Sequence, residues 1–159
     1  MRKALIILIL IPFFVPEGAF PLDINKTTYR LLHKWIPWRE KVKIIDEISR
    51  LESQKVLDTL IIIYRDGSLN FACPSILYHT VNGLRYFQGN QEAVEIVREA
   101  IHNREPEVRM ISLEVLGIIG SEDDIDYLKP FLAGKSYFEA SYAQNAIDRI
   151  KTRTGLTEK

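Results

Sequence analysis

The feature that most restricts this chain is an interval of 31 residues that recurs through its second half. Ile111, Val115, Leu116 and Ile119 have their counterparts one interval later in Tyr142, Ala146, Ile147 and Ile150. One interval before Gly120, Ile125, Leu128 and Leu132 stand Gly89, Val94, Val97 and Ile101. Within each block the apolar residues fall at helical spacing, the signature of one buried stripe. A period of this length built from such stripes marks stacked helix pairs, because a single pair cannot bury its apolar face alone. The chain is therefore expected to be all-α: a short right-handed α-solenoid of about three and a half helix pairs.

The first residues have a different character. Arg2 and Lys3 precede an apolar run from Ala4 to Val15, followed by Pro16, Glu17, Gly18 and Ala19. This is the layout of a secretory signal peptide. As a helix the run would span about 18 Å, against roughly 30 Å for the hydrocarbon core of a bilayer. Pro12 and Pro16 would also interrupt a buried helix here. The expectation is export to an extracytoplasmic compartment, periplasmic or secreted. Residues 1–19 would be removed, 20–154 would form one helical-repeat domain and 155–159 a polar tail. A cut after Ala19 leaves Glu17 where a small residue is usual, so an uncleaved signal stays open.

Removing that segment takes away two of the 21 basic and one of the 21 acidic side chains, leaving a net charge of about −1. Nothing in that balance favours nucleic acid, whose binding rests on neutralised phosphates. Cys73 has no intramolecular disulfide partner and is expected to be buried.

In the mature chain, Pro21 to Asn25 reads as extended, and Thr27 or Thr28 starts a short helix that reaches Trp35 before Pro37 stops it. Leu31, Leu32 and Trp35 give that helix something to bury, and Lys26, Arg30 and Lys34 make one side of it positive. With Arg39, Lys41 and Lys43, the segment 26–43 is locally basic, a candidate surface for an acidic partner or an anionic membrane. Asn25-Lys26-Thr27 also fits the N-glycosylation pattern.

The spacing of Val42, Ile45, Ile48 and Leu51 predicts an amphipathic helix over 38–51, with Lys41, Lys43, Asp46, Glu47 and Arg50 on its wet side. A second helix carries Val56, Leu57, Leu60, Ile61 and Ile63. After an irregular connection from Gly67 to Cys73, Pro74 opens a helix that buries Ile76, Leu77, Thr80, Leu84 and Phe87 and stops at Gly89. Asn90 caps the next, which buries Val94, Val97, Ala100 and Ile101. Pro106 opens another that ends at Gly120. Ser121-Glu122-Asp123-Asp124 has the form of a capping box before a helix burying Ile125, Leu128 and Leu132. Ser136 caps the last helix, which runs to about Thr154.

The stretch from Val108 through Arg109, Ser112, Leu116, Gly117 and Ile119 to Gly120 resembles the first helix of a HEAT repeat, of the short bilin-lyase-like subclass. The resemblance is clearest over residues 105–150. It implies antiparallel helix pairs whose second helices line a concave face. Scaffolds, chromophore lyases and a metal hydroxylase share this family, so fold alone does not decide function. The metal enzymes of the family use His-Glu pairs, whereas here His33 precedes Lys34, His79 precedes Thr80 and His102 precedes Asn103. No glycine-rich phosphate loop or paired-cysteine motif is present either. Three adjacent acids at 122–124 complement a helix dipole, and no glycine-containing calcium loop surrounds them.

The reading that follows is a non-enzymatic scaffold with no cofactor, holding a protein or peptide on its second helices. Asp58, Glu95, Arg98, His102, Asp126 and Lys129 lie off the buried stripes of those helices, and Tyr64 and Tyr127 are the candidate aromatic anchors. The alternative is a lyase-like or small-ligand-binding protein that uses the same groove, which calls for a deep apolar pocket.

Overall fold

The structure is a computed structural model and describes residues 23–67, 73–134 and 136–156. The expected signal segment, most of the connection from Gly67 to Cys73 and the last three tail residues lie outside the described residues. Among the described residues every regular element is helical. In chain order these are α1 (Ile24–Leu32), α2 (Trp38–Ser49), α3 (Gln54–Arg65), α4 (Pro74–Gly83), α5 (Gln91–Ala100), α6 (Pro106–Ile119), α7 (Ile125–Leu132) and α8 (Tyr137–Thr154).

They form two rows. The first helices α2, α4, α6 and α8 stack on one another, and α1, α3, α5 and α7 run along them. Each second helix leans on the first helix of the following unit, α3 on α4, α5 on α6 and α7 on α8. Three pairs and the single α8 make the expected three and a half, with α1 laid ahead against α2 and α3. One continuous core runs from Leu31 to Ile150.

Local chemistry accounts for most of the helix ends. Asn90 accepts from the backbone N–H of Glu92 and Ala93 at 3.0 and 3.1 Å. Pro74 and Pro106 sit in the first turns of α4 and α6, where a missing N–H is harmless. Ser136 caps α8, and Gly155 closes it at φ 77°, a conformation open to glycine.

Stacking of the first helices places glycine at two contacts. A Cβ placed on Gly117 of α6 would stand 2.6 Å from Ala146 Cα of α8. One on Gly83 of α4 would meet the Ser49 hydroxyl of α2, which would have to turn away. Glycine is thus a packing requirement at Gly117, where the obstacle is backbone.

Several sequence expectations are corrected. α1 begins at Ile24 and ends at Leu32, because Asp23 rather than a threonine caps it, accepting from Asn25 and Lys26 N–H. Asn25 is therefore in a helix and Thr27 is buried, a poor shape for an extended glycosylation acceptor. Trp35 lies beyond α1 and is 86% exposed. Leu51 and Leu132 are also exposed: α2 ends at Ser49, short of the expected 51, and Leu132 is the last residue of α7.

Lys41, expected on the wet side, is buried; desolvation holds its ammonium below the usual lysine range, with Asp66 acting in the opposite sense. The helix begun at Pro74 tightens into a 3-10 turn over Leu84–Tyr86 before Gly89. Cys73 is half-buried at the start of α4 and packs against the core.

Candidate functional site

The candidate site is the face made by α3, α5 and α7. Arg98, in the last turn of α5, donates from Nε to Asp124 Oδ1 at 2.6 Å. Asp124 is wholly buried, and its other oxygen accepts from Ser121 N–H at 2.6 Å and from the Ser121 hydroxyl at 3.1 Å. The expected capping box is thus present, and its carboxylate also fixes a guanidinium from the previous repeat. The hydrogen bond to Asp124 raises the pKa of Arg98 further, against a smaller opposing effect of burial. The same guanidinium lies over the ring of Tyr127, 4.9 Å from its centre.

Around that platform, Asp126 and Lys129 form an exposed ion pair at 2.7 Å. His102 is exposed one turn after Arg98, with its ring 5.9 Å from that of Phe131. Glu95 is exposed one turn before and acts on Arg98 through charge. Six of the eight predicted site residues, Glu95, Arg98, His102, Asp126, Tyr127 and Lys129, therefore belong to one surface formed by α5, the turn after it and α7.

The other two do not. Asp58 is on α3, its carboxylate taken up by Gln54 Nε2 at 2.9 Å. Tyr64 is not an exposed anchor: it is a core residue, 7% exposed. Burial pushes its hydroxyl up to about 12, helped by the Glu99 carboxylate to which it hydrogen-bonds. Tyr64, Gly67, Leu77, Glu99, Asn103, Arg104 and Glu105 line a cleft of about 400 Å³. This lining is about half polar and carries three charged side chains, unlike the predominantly apolar pocket a small-ligand groove calls for.

Sequence reasoning missed the polar links between repeats. Among the first helices, Asp46 meets His79 at 2.8 Å, Arg85 meets Glu114 at 3.0 Å, and Arg109 meets Glu139 at 2.5 Å. Arg109 also donates to the carbonyls of Asn103 and Arg104, both at 2.9 Å, and so fixes the turn before its own helix. Arg153 of α8 donates to the carbonyls of Gly117, Ile118 and Gly120 and closes the C-terminus of α6. The available signal was the separation of the paired charges, 29 residues for Arg85 and Glu114 and 30 for Arg109 and Glu139, close to the repeat itself.

Among the described residues, no three His, Cys, Asp or Glu side chains form a group that could hold a metal ion. No helix of the described chain is long and apolar enough to cross a membrane.

Comparison with known proteins agrees with this architecture. No curated protein matches the chain by sequence. The structure of human deoxyhypusine hydroxylase in complex with glycerol is similar in fold, with a TM-score of 0.70 at 16% identity. The match covers 86% of this chain and 46% of that one, so the chain spans about half the length of that enzyme. HEAT repeats match residues 68–147, half of the sequence. With stacked helix pairs, a glycine-dependent contact and this match in agreement, the chain belongs to the HEAT-repeat family.

Proposed function

We propose that this chain is an exported, non-enzymatic HEAT-repeat protein that binds a protein or peptide on the face formed by α5 and α7. The observation that carries the reading is the Arg98–Tyr127 platform. A half-exposed aromatic ring sits under a guanidinium that a buried carboxylate already holds in place. Such a pair offers a partner a rigid apolar surface with charge beside it, at little further cost in side-chain ordering. Asp126, Lys129, Glu95 and His102 supply a polar rim of both signs, which suits a salt-sensitive contact. Export is supported by the basic start and short apolar run at residues 2–15.

Crosslinking the tagged full chain in its own cell, with identification of what is captured, tests the reading. Tyr127→Ala should lower capture of a specific protein at least tenfold, the range of an interface hot spot. Unchanged capture by Tyr127→Ala and by Lys129→Glu would remove the α5–α7 face as the binding surface. Finding the chain in the cytoplasm with residues 1–19 intact would remove export.

A further inference from the structure

We infer that the corner between α1 and α2 docks the protein on an anionic lipid surface. This surface is separate from the α5–α7 face and does not depend on what binds there.

Three large aromatic side chains are exposed within ten residues: Tyr29 at 68%, Trp35 at 86% and Trp38 at 44%. Thr27 and Leu31 face the core, which turns Lys26, Tyr29, Arg30 and His33 outward, and the ring contact between Tyr29 and His33 at 5.6 Å lies on that outer side. An ion pair from Arg30 to Glu40 at 2.7 Å ties this side to the first turn of α2, where Arg39 covers the ring of Trp38 at 4.9 Å. The aromatics and the basic residues are thus held on one corner.

The charge there is predominantly positive, with Asp23, the exposed cap of α1, as the carboxylate that no basic side chain of the described residues pairs. Lys26, Lys34, Arg39 and Lys43 are exposed, while Glu40 is neutralised by Arg30. The next exposed carboxylate on α2, Glu47, is about two and a half turns beyond Trp38.

Indole rings prefer the boundary between water and acyl chains, where an apolar body and a polar N–H are both satisfied. Lysine and arginine can lay their stems among lipids and keep their charge at the headgroups. An acidic protein partner would meet the same charges, and the soluble polyanion in the test below separates it from lipid.

The test uses intrinsic fluorescence, because Trp35 and Trp38 are the two tryptophans of the whole sequence. Among the described residues every core side chain lies at or after Leu31, so residues 20–159 keep the described core without the apolar run. That chain is titrated with vesicles of phosphatidylcholine alone and of equal parts phosphatidylcholine and phosphatidylglycerol. Emission should shift to the blue on the mixed vesicles only, and the shift should weaken as salt is raised.

Lys34→Ala with Arg39→Ala should lower vesicle affinity about thirtyfold, the effect of two basic residues near an anionic surface. Trp35→Ala should lower it as well, and circular dichroism should show all variants folded. Equal binding to both vesicle types, or no binding to either, would overturn the inference. So would a blue shift with soluble polyglutamate that exceeds the one on mixed vesicles, which would make the corner a site for acidic protein.

Discussion

Arg98 and Glu99 are adjacent in sequence yet bind in opposite directions along the solenoid. Arg98 reaches forward to the buried Asp124 at the entrance to α7, and Glu99 reaches back to the hydroxyl of Tyr64 on α3. Successive residues on a helix point about 100° apart, which makes this divergence possible. α5 is thereby fastened to the second helix on either side of it by two neighbouring side chains.

Asp124→Ala should destabilise the protein by about 3 kcal/mol, since it strands a largely buried guanidinium and removes the acceptor for two Ser121 donors. Asp126→Ala, two residues on and exposed, should cost about 0.5 kcal/mol or less. Urea unfolding of the two variants measures the contrast. Equal midpoints would mean that Asp124 does not hold the junction between α5 and α7.

Gly117→Ala should cost toward the upper end of about 1–3 kcal/mol, because the new methyl meets the backbone of Ala146 and α8 must move away. At Gly89 the surroundings are open and the obstacle is conformational, φ 76°. Gly89→Ala should cost about 1 kcal/mol. Thermal melts rank the two. The first variant should also loosen α8 locally, seen as faster amide exchange there.

Tyr64 makes stability depend on pH in the alkaline range. Its hydroxyl is raised from 10.0 to about 12, first by burial and then by Glu99, so the folded state holds the proton more tightly than the unfolded chain does. The resulting stabilisation is complete below about pH 10 and is lost as pH rises toward about 12, some 2–3 kcal/mol in all. Denaturant unfolding at a series of alkaline pH values should show a steeper decline for the native chain than for Tyr64→Phe. Parallel curves would show that the hydroxyl titrates as it does in the unfolded chain.

Arg153→Ala should cost about 1–2 kcal/mol, because the carbonyls of Gly117, Ile118 and Gly120 lose a charged donor at the end of α6. Arg153→Lys should recover only part of this, since an ammonium lacks the planar fork that reaches several carbonyls at once. Chemical denaturation of the three chains gives the ranking.

These junctions show what sequence could and could not reveal. The helices and their caps were legible at Asn90, Pro74, Pro106 and Ser136, where the determining atoms lie within a turn of one another. The buried stripe of α5 was legible for the same reason, and Val94, Val97, Ala100 and Ile101 are all in the core. Periodicity tells which side of a helix is apolar, but not how far a neighbour covers it. Leu51 and Leu132 thus continue an apolar stripe in sequence but stand outside the core, while Lys41, polar in the pattern, stands inside it. Spacing alone marks the outer face that six residues of the candidate surface share, whereas in sequence Asp124 shows only as a cap. Its second role depends on which residue of α5 stands opposite, a matter of register between distant segments.

The two rows of helices are joined by different means, and the molecule's response to load should differ accordingly. Along α2, α4, α6 and α8 the helices pack closely, with the Ser49 side chain against Gly83 and the backbone of Ala146 against Gly117. Along α3, α5 and α7 the approach is looser, and the polar fastenings at Tyr64–Glu99 and Arg98–Asp124 span it. A force that spreads the repeats would pivot them about the first row, like the ribs of a fan about its pin. The breadth of the α5–α7 face would then be set by the Arg98–Asp124 ion pair, and the gap between α3 and α5 by the phenolic hydrogen bond of Tyr64, both of which a bound partner could strengthen or release.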